Sequence, residues 1–115
     1  MSKKSTIQFT VDLDENNVPE KIQWDATDKP EDQSPETKSI SLSIWDSLDK
    51  NTLRIDLWTK DMPVHEMKRF YIDCIGGLAQ SVLQATGDEK MASEMKDLCE
   101  KLVKHVSQQD PPTRA

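Results

Sequence analysis

The stretch TLRIDLWTKDMPVHEM, residues Thr52–Met67, changes its hydrophobic period halfway along, and that change decides the fold. Leu53, Ile55 and Leu57 alternate with Arg54 and Asp56, the pattern of a β-strand with one buried face. After Pro63 the apolar residues fall instead at Val64, Met67, Tyr71, Cys74, Ile75, Leu78, Val82 and Ala85, which is one stripe of a helix. Asp61 or Met62 would cap this helix, with Pro63 in its first turn, where a missing N–H costs least. The crowd of charges thus divides into a solvated strand face, a turn and a helix start. The spacing implies no histidine, carboxylate and nucleophile set, and no catalytic residue is assigned. Glu66 suits the positive end of the helix, and His65 is a surface residue beside it.

Immediately upstream, Ile40, Leu42 and Ile44 alternate with Ser39, Ser41 and Ser43, and the connection Asp46–Asn51 is of hairpin size. One register pairs Ile44 with Leu53, Leu42 with Ile55 and Ile40 with Leu57. A slip of one residue would bury Arg54 and Asp56, whereas a shift of two would keep the faces. Nearer the start, Ile7, Phe9, Val11 and Leu13 alternate with polar residues, Asp14–Asn17 reads as a turn, and Ile22 and Trp24 belong to a returning antiparallel strand. The register of this first hairpin stays open. Residues 26–38, ATDKPEDQSPETK, hold Pro30 and Pro35 and no large apolar side chain, so they read as a solvated linker.

Downstream, Ile72, Ala79 and Leu83 widen the first helix stripe, as contact with both a sheet and another helix would require. Gly76 and Gly77 mark a close approach or a kink, because glycine in a helix interior costs about 1 kcal/mol relative to alanine. Gly87 is placed to end the helix in the left-handed conformation, and Asp88 to cap the next one. Met91, Met95, Leu98, Cys99, Leu102 and Val106 form its stripe. The sequence therefore predicts an α+β fold: a four-stranded antiparallel β-meander followed by two C-terminal α-helices packed on one face. It reads as a single domain over 1–115, with an ordered core of 5–107 and a frayed tail at 108–115.

Composition narrows the function. Fifteen Lys and Arg stand against 21 Asp and Glu, a net charge of −6, which argues against a nucleic-acid surface. No apolar run approaches the ~20 residues of a membrane span, so direct membrane insertion is not expected. MSKKST followed by IQFTVDLD lacks the continuous apolar segment of a signal peptide, which points to the cytoplasm. Cys74 and Cys99 have neither a CxxC spacing nor a neighbouring histidine. They read as small core residues in a reducing compartment, although two cysteines could pair in an oxidising one. His105 near a helix C-terminus is an ordinary surface residue, the methionines fall on helix stripes, and Gly76-Gly77 has no phosphate-loop context. No cofactor and no metal site are expected.

One feature resists this bland reading. The outward face of the second hairpin carries Trp45 and Trp58 among Ser41, Ser43, Arg54 and Asp56, and an indole is costly to leave wet. Either a partner protein covers this face or residues 26–38 fold across it.

Three stretches carry a family resemblance: LDENNVPEKIQWDATD in the first hairpin, TLRIDLWTKDMPVHEMKRF at the strand-to-helix corner, and ATGDEKMASEMKDLCE between the helices. Over most of residues 5–105 the chain resembles the gliding motility protein GldC family of Bacteroidetes. The resemblance implies a small accessory protein of the gliding machinery with no known enzymatic activity or cofactor, and it supplies no catalytic residues. It makes a protein of the gliding apparatus the expected partner of the tryptophan face, with a homodimer as the other use of that face. A SecB-type holdase is an alternative by analogy of strand and helix order, and a small-molecule-binding module is a third.

Overall fold

The computed structural model describes residues 3–109. They divide into a strand-built unit ending at Met62 and a helical unit beginning at Pro63. In the first unit, β1 (Ile7–Leu13), β2 (Pro19–Ala26) and a short β3 (Glu36–Thr37) form one antiparallel sheet, and β4 (Ser39–Asp46) with β5 (Asn51–Trp58) form another. The second unit consists of α1 (Val64–Thr86) and α2 (Glu89–Gln109).

The α+β class is as expected, but the single four-stranded meander is not. Five strands form a three-stranded and a two-stranded sheet. The cause lies at the end of the proline-rich connection. Pro35 accepts a hydrogen bond from the Trp24 N–H at 2.8 Å, and Glu36 and Thr37 then pair with Gln23 and Ile22. These residues occupy the edge of β2 that the meander would have offered to Ser39–Asp46, so β4 is left with β5 alone. A second tie sets the branch point, since the Lys60 N–H donates to the Pro19 carbonyl at 3.1 Å.

Both hairpins follow the alternation. Phe9 lies opposite Trp24 and Val11 opposite Ile22, which makes Ile22 the one large side chain fully withdrawn from solvent among the described residues. In β4–β5, Ile44 faces Leu53, Leu42 faces Ile55 and Ile40 faces Leu57, the register that keeps Arg54 and Asp56 off the apolar face. The turns use residues suited to them. Asn17 takes positive φ in the first, and the Asp14 carboxylate accepts the N–H groups of Asn16 and Val18.

In the helical unit α1 runs unbroken through Gly76 and Gly77. A Cβ on Gly76 would lie 3.6 Å from the Cys99 Sγ, an ordinary contact distance, and one on Gly77 would meet nothing within 4 Å, so neither glycine is required by a close approach of α2. Pro63, still extended, occupies the cap position, one residue after Met62 and two after Asp61, the caps the sequence suggests, and its carbonyl accepts the Met67 N–H. Gly87 closes α1 at φ 73° with its N–H on the Leu83 carbonyl, and the Asp88 carboxylate caps α2 through the Met91 N–H at 2.9 Å. Ala79 and Ala92 are buried, and Cys99 donates its thiol hydrogen to the Ile72 carbonyl. The second face of α1, read from Ile72, Ala79 and Leu83, thus includes positions where the two helices meet. Helix α2 continues two residues into the expected tail, and residues 110–115 of that tail lie outside the described residues. No helix among the described residues is long and apolar enough to cross a membrane.

Candidate functional site

The polar face of β4–β5 gathers four of the six singled-out residues into one network and holds the other two at its ends. Arg54 lies opposite Ser43, and Asp56 opposite Ser41. The Arg54 guanidinium donates to Ser43 Oγ at 2.5 Å, to Ser41 Oγ at 2.6 Å and to both carboxylate oxygens of Asp56 at 2.8 and 3.2 Å. Ser41 in turn donates its hydroxyl to Asp56 Oδ1 at 2.7 Å. Such a fork-to-carboxylate pair is geometrically stiff, and the two serines lock it across the strands. The face is therefore pre-organised, and the two ionic charges at its centre cancel.

Trp45 stands opposite Thr52 at the turn end, and Trp58 opposite Ser39 at the other. Six residues of strand separate the two rungs, on the order of 20 Å. The connection 26–38 does not cover them: it returns along β2, and Trp45 and Trp58 remain 59% and 46% exposed. Beside Trp58, Ser39 is buried, and its hydroxyl has no hydrogen-bond partner among the described residues.

Hydrogen bonding sets the electrostatics of the network. The Ser41 hydroxyl, and after it the Arg54 guanidinium, hold the Asp56 carboxyl below the ordinary aspartate value of 3.8. A carboxyl depressed on folding contributes stability above its unfolded pKa and loses it as pH falls through the folded one. The network thus stays intact across the neutral range and releases only in acid, below 3.8. A carbon-detected NMR titration should place the Asp56 midpoint below 3.8, and Ser41→Ala should raise it toward 3.8 by more than Arg54→Gln does. A larger effect of Arg54→Gln would reverse the assigned order of causes.

The remaining charges of the Thr52–Met67 stretch brace the fold. Lys60 Nζ contacts Asp14 Oδ2 at 3.0 Å and Glu20 Oε1 at 3.2 Å, joining the end of β5 to the first hairpin. Asp14 and then Glu20 raise the Lys60 pKa, while the Val18 N–H and then Lys60 lower that of Asp14. Asp61 accepts the Thr59 hydroxyl at 2.6 Å and pairs with Lys38 at 3.0 Å. No local signal reveals the Lys60 ties, because the partners lie far back in the chain. A second unforeseen contact, Lys29 Nζ at 4.8 Å from the Trp24 ring centre and 3.1 Å from its carbonyl, anchors the connection. Along α1 and α2 runs an open groove of about 900 Å³ whose lining includes Gly76, Ala79, Ala92 and Cys99. Among the described residues, no three His, Cys, Asp or Glu side chains gather as a metal site.

Fold and face together define a small α+β protein whose distinctive surface is a neutral polar strip between two half-exposed tryptophans. The description "Gliding motility-associated protein GldC-like" matches residues 19–108, and the chain belongs to that family. It matches no curated protein and no solved structure.

Proposed function

We propose that this chain is a non-catalytic accessory protein of the gliding machinery, an adaptor or assembly factor that docks another protein of the apparatus on the face between Trp45 and Trp58. Family membership supports the process. The observation that carries the docking role is the pairing of two half-exposed indoles with a strip whose polar groups already satisfy one another. Burying that strip leaves no unpaired charge behind, and the tryptophans act as the anchors whose burial offsets the cost of taking the Arg54–Asp56 pair out of water. We assign the protein to the cytoplasm, where a thiol such as that of Cys99, donating to the Ile72 carbonyl, persists in its reduced form. Function then requires no metal, nucleotide or covalent intermediate.

The test is affinity isolation from a gliding bacterium under gentle lysis, paired with a motility assay of His65→Ala. Recovery of one stoichiometric motility component, with His65→Ala gliding normally, is the expected result. A broad set of unfolded clients would instead indicate a holdase. Loss of gliding by a normally abundant His65→Ala chain would contradict the non-catalytic assignment.

A further inference from the structure

The sequence of β4 reads the same in both directions around its centre: Ile40-Ser41-Leu42-Ser43-Ile44. The strand has β5 on one side and no strand on the other among the described residues. Eight consecutive pairs join β4 to β5 without a bulge. The outer edge between Ser39 and Asp46 carries no proline and no charged side chain before Asp46. Proteins usually blunt an exposed edge with just these devices, and β1 does bear an irregularity at Asp12/Leu13. A two-stranded ribbon is also marginal by itself, whereas a sheet of three or more strands is not.

From this we infer that β4 pairs antiparallel with β4 of a second copy about a twofold axis through Leu42, joining two ribbons into one four-stranded sheet. The backbone groups needed are on the correct side. The Thr59 N–H donates to the Lys38 carbonyl at 2.8 Å, so the even-numbered residues of β4 bond toward β5 and the odd-numbered ones face outward. Ser41 and Ser43 therefore offer their N–H and C=O groups to Ser43 and Ser41 of the second copy, which gives four hydrogen bonds by symmetry. The open edge ends at Ser39, where the Thr37 hydroxyl bonds both the N–H and the C=O.

Side chains select this register over its neighbours. Centring on Leu42 sets Leu42 against Leu42 and Ile40 against Ile44 on one face, and Ser41 against Ser43 on the other. It also brings Asp46 toward Lys38, which lies just beyond the paired edge and already pairs with Asp61 at 3.0 Å. Centring on Ser43 would place Asp46 against Ile40, and centring on Ser41 would set Ser43 against Ser39, whose N–H and C=O the Thr37 hydroxyl already holds. The pairing has one further consequence, because Trp45 of one copy comes beside Ser39 of the other, whose far neighbour is Trp58. Indoles that sit at opposite ends of one ribbon become neighbours across the dimer. The inference concerns the edge of the ribbon and stands apart from the docking role of its face.

Sedimentation of the full chain at about 100 µM should show a dimer, since even a ~10 µM interface is mostly occupied there. Ser43→Pro removes an outward N–H that the ribbon itself does not use and sets a ring on the edge, so it should weaken association at least about 10-fold with the strand signal retained. Trp58→Glu, one strand away from the edge, should still dimerise. Leu42→Cys, in a chain with Cys74→Ala and Cys99→Ala, should oxidise to a 42–42 disulfide, because directly opposed non-hydrogen-bonded residues have Cα atoms about 4.5 Å apart. That crosslink decides the matter should Ser43→Pro fail to fold. A chain monomeric throughout, a dimer indifferent to a folded Ser43→Pro, or a Leu42→Cys chain that forms no 42–42 link would each overturn the inference.

Discussion

Trp58→Glu should abolish capture of the motility partner while leaving a folded chain. The indole is 46% exposed and sits on the polar side of β5, opposite in direction to Leu53, Ile55 and Leu57. Its covered half, roughly 100 Å² at ~25 cal/mol/Å², is worth about 2.5 kcal/mol, a loss that a domain stable by 5–15 kcal/mol tolerates. The exposed half is what a partner would bury. An anchor of this kind contributes about 2 kcal/mol or more, so affinity should fall at least ~30-fold. Trp45→Glu should behave alike, with a smaller effect on melting because Trp45 is 59% exposed. Calorimetric titration with the isolated partner, alongside a thermal melt, separates the two effects. Unchanged affinity in both folded variants would remove the face from the docking role, and unfolding by Trp58→Glu would make Trp58 a core residue.

The sequence made the second hairpin legible because two independent constraints agreed there. Alternation in Ile40–Ile44 and in Leu53–Leu57 fixed the faces, and the hairpin-sized Asp46–Asn51 connection suggested the register that the strands adopt, while a shift of two residues would have kept the same faces. The helix junction was equally legible, since left-handed Gly87 and the Asp88 cap act through their immediate neighbours. The split into two sheets was not. It depends on Glu36 and Thr37, which carry no apolar pattern and form a strand because Pro35 and the Trp24 backbone hold them against β2. The Lys60 brace was hidden for the same reason, as its partners Asp14 and Glu20 are brought near only by the folded chain. At the candidate site the residues were identifiable from parity alone, while the closed hydrogen-bond circuit of Arg54, Asp56, Ser41 and Ser43 required side-chain geometry. Parity also left open whether the connection crossed the tryptophans, a matter decided by which strand edge it reached first.

The circuit needs its ribbon held in place, and in the strand-built unit the holding falls on few side chains. Ile22 is 0% exposed, directly opposite Val11, at the point where β2 pairs with β1 on one side and with Thr37 of β3 on the other. It thus packs where both edges of the central strand are engaged. Removing most of its side chain forfeits transfer energy and leaves a cavity, together about 2–5 kcal/mol for Ile→Ala, whereas Ile→Val costs about 0.5–1.5. Against a total of roughly 5–15 kcal/mol, the first change is a large share of the stability and the second a small one. Trp24, Trp45 and Trp58 all lie in the strand-built unit, so tryptophan fluorescence during urea unfolding reports on that unit directly. Ile22→Ala should lower the fluorescence midpoint strongly with little change in slope, and Ile22→Val should fall between it and the parent chain. If Ile22→Ala shifted stability by less than about 0.5 kcal/mol, the range of ordinary surface substitutions, the core of the three-stranded sheet would have to lie elsewhere.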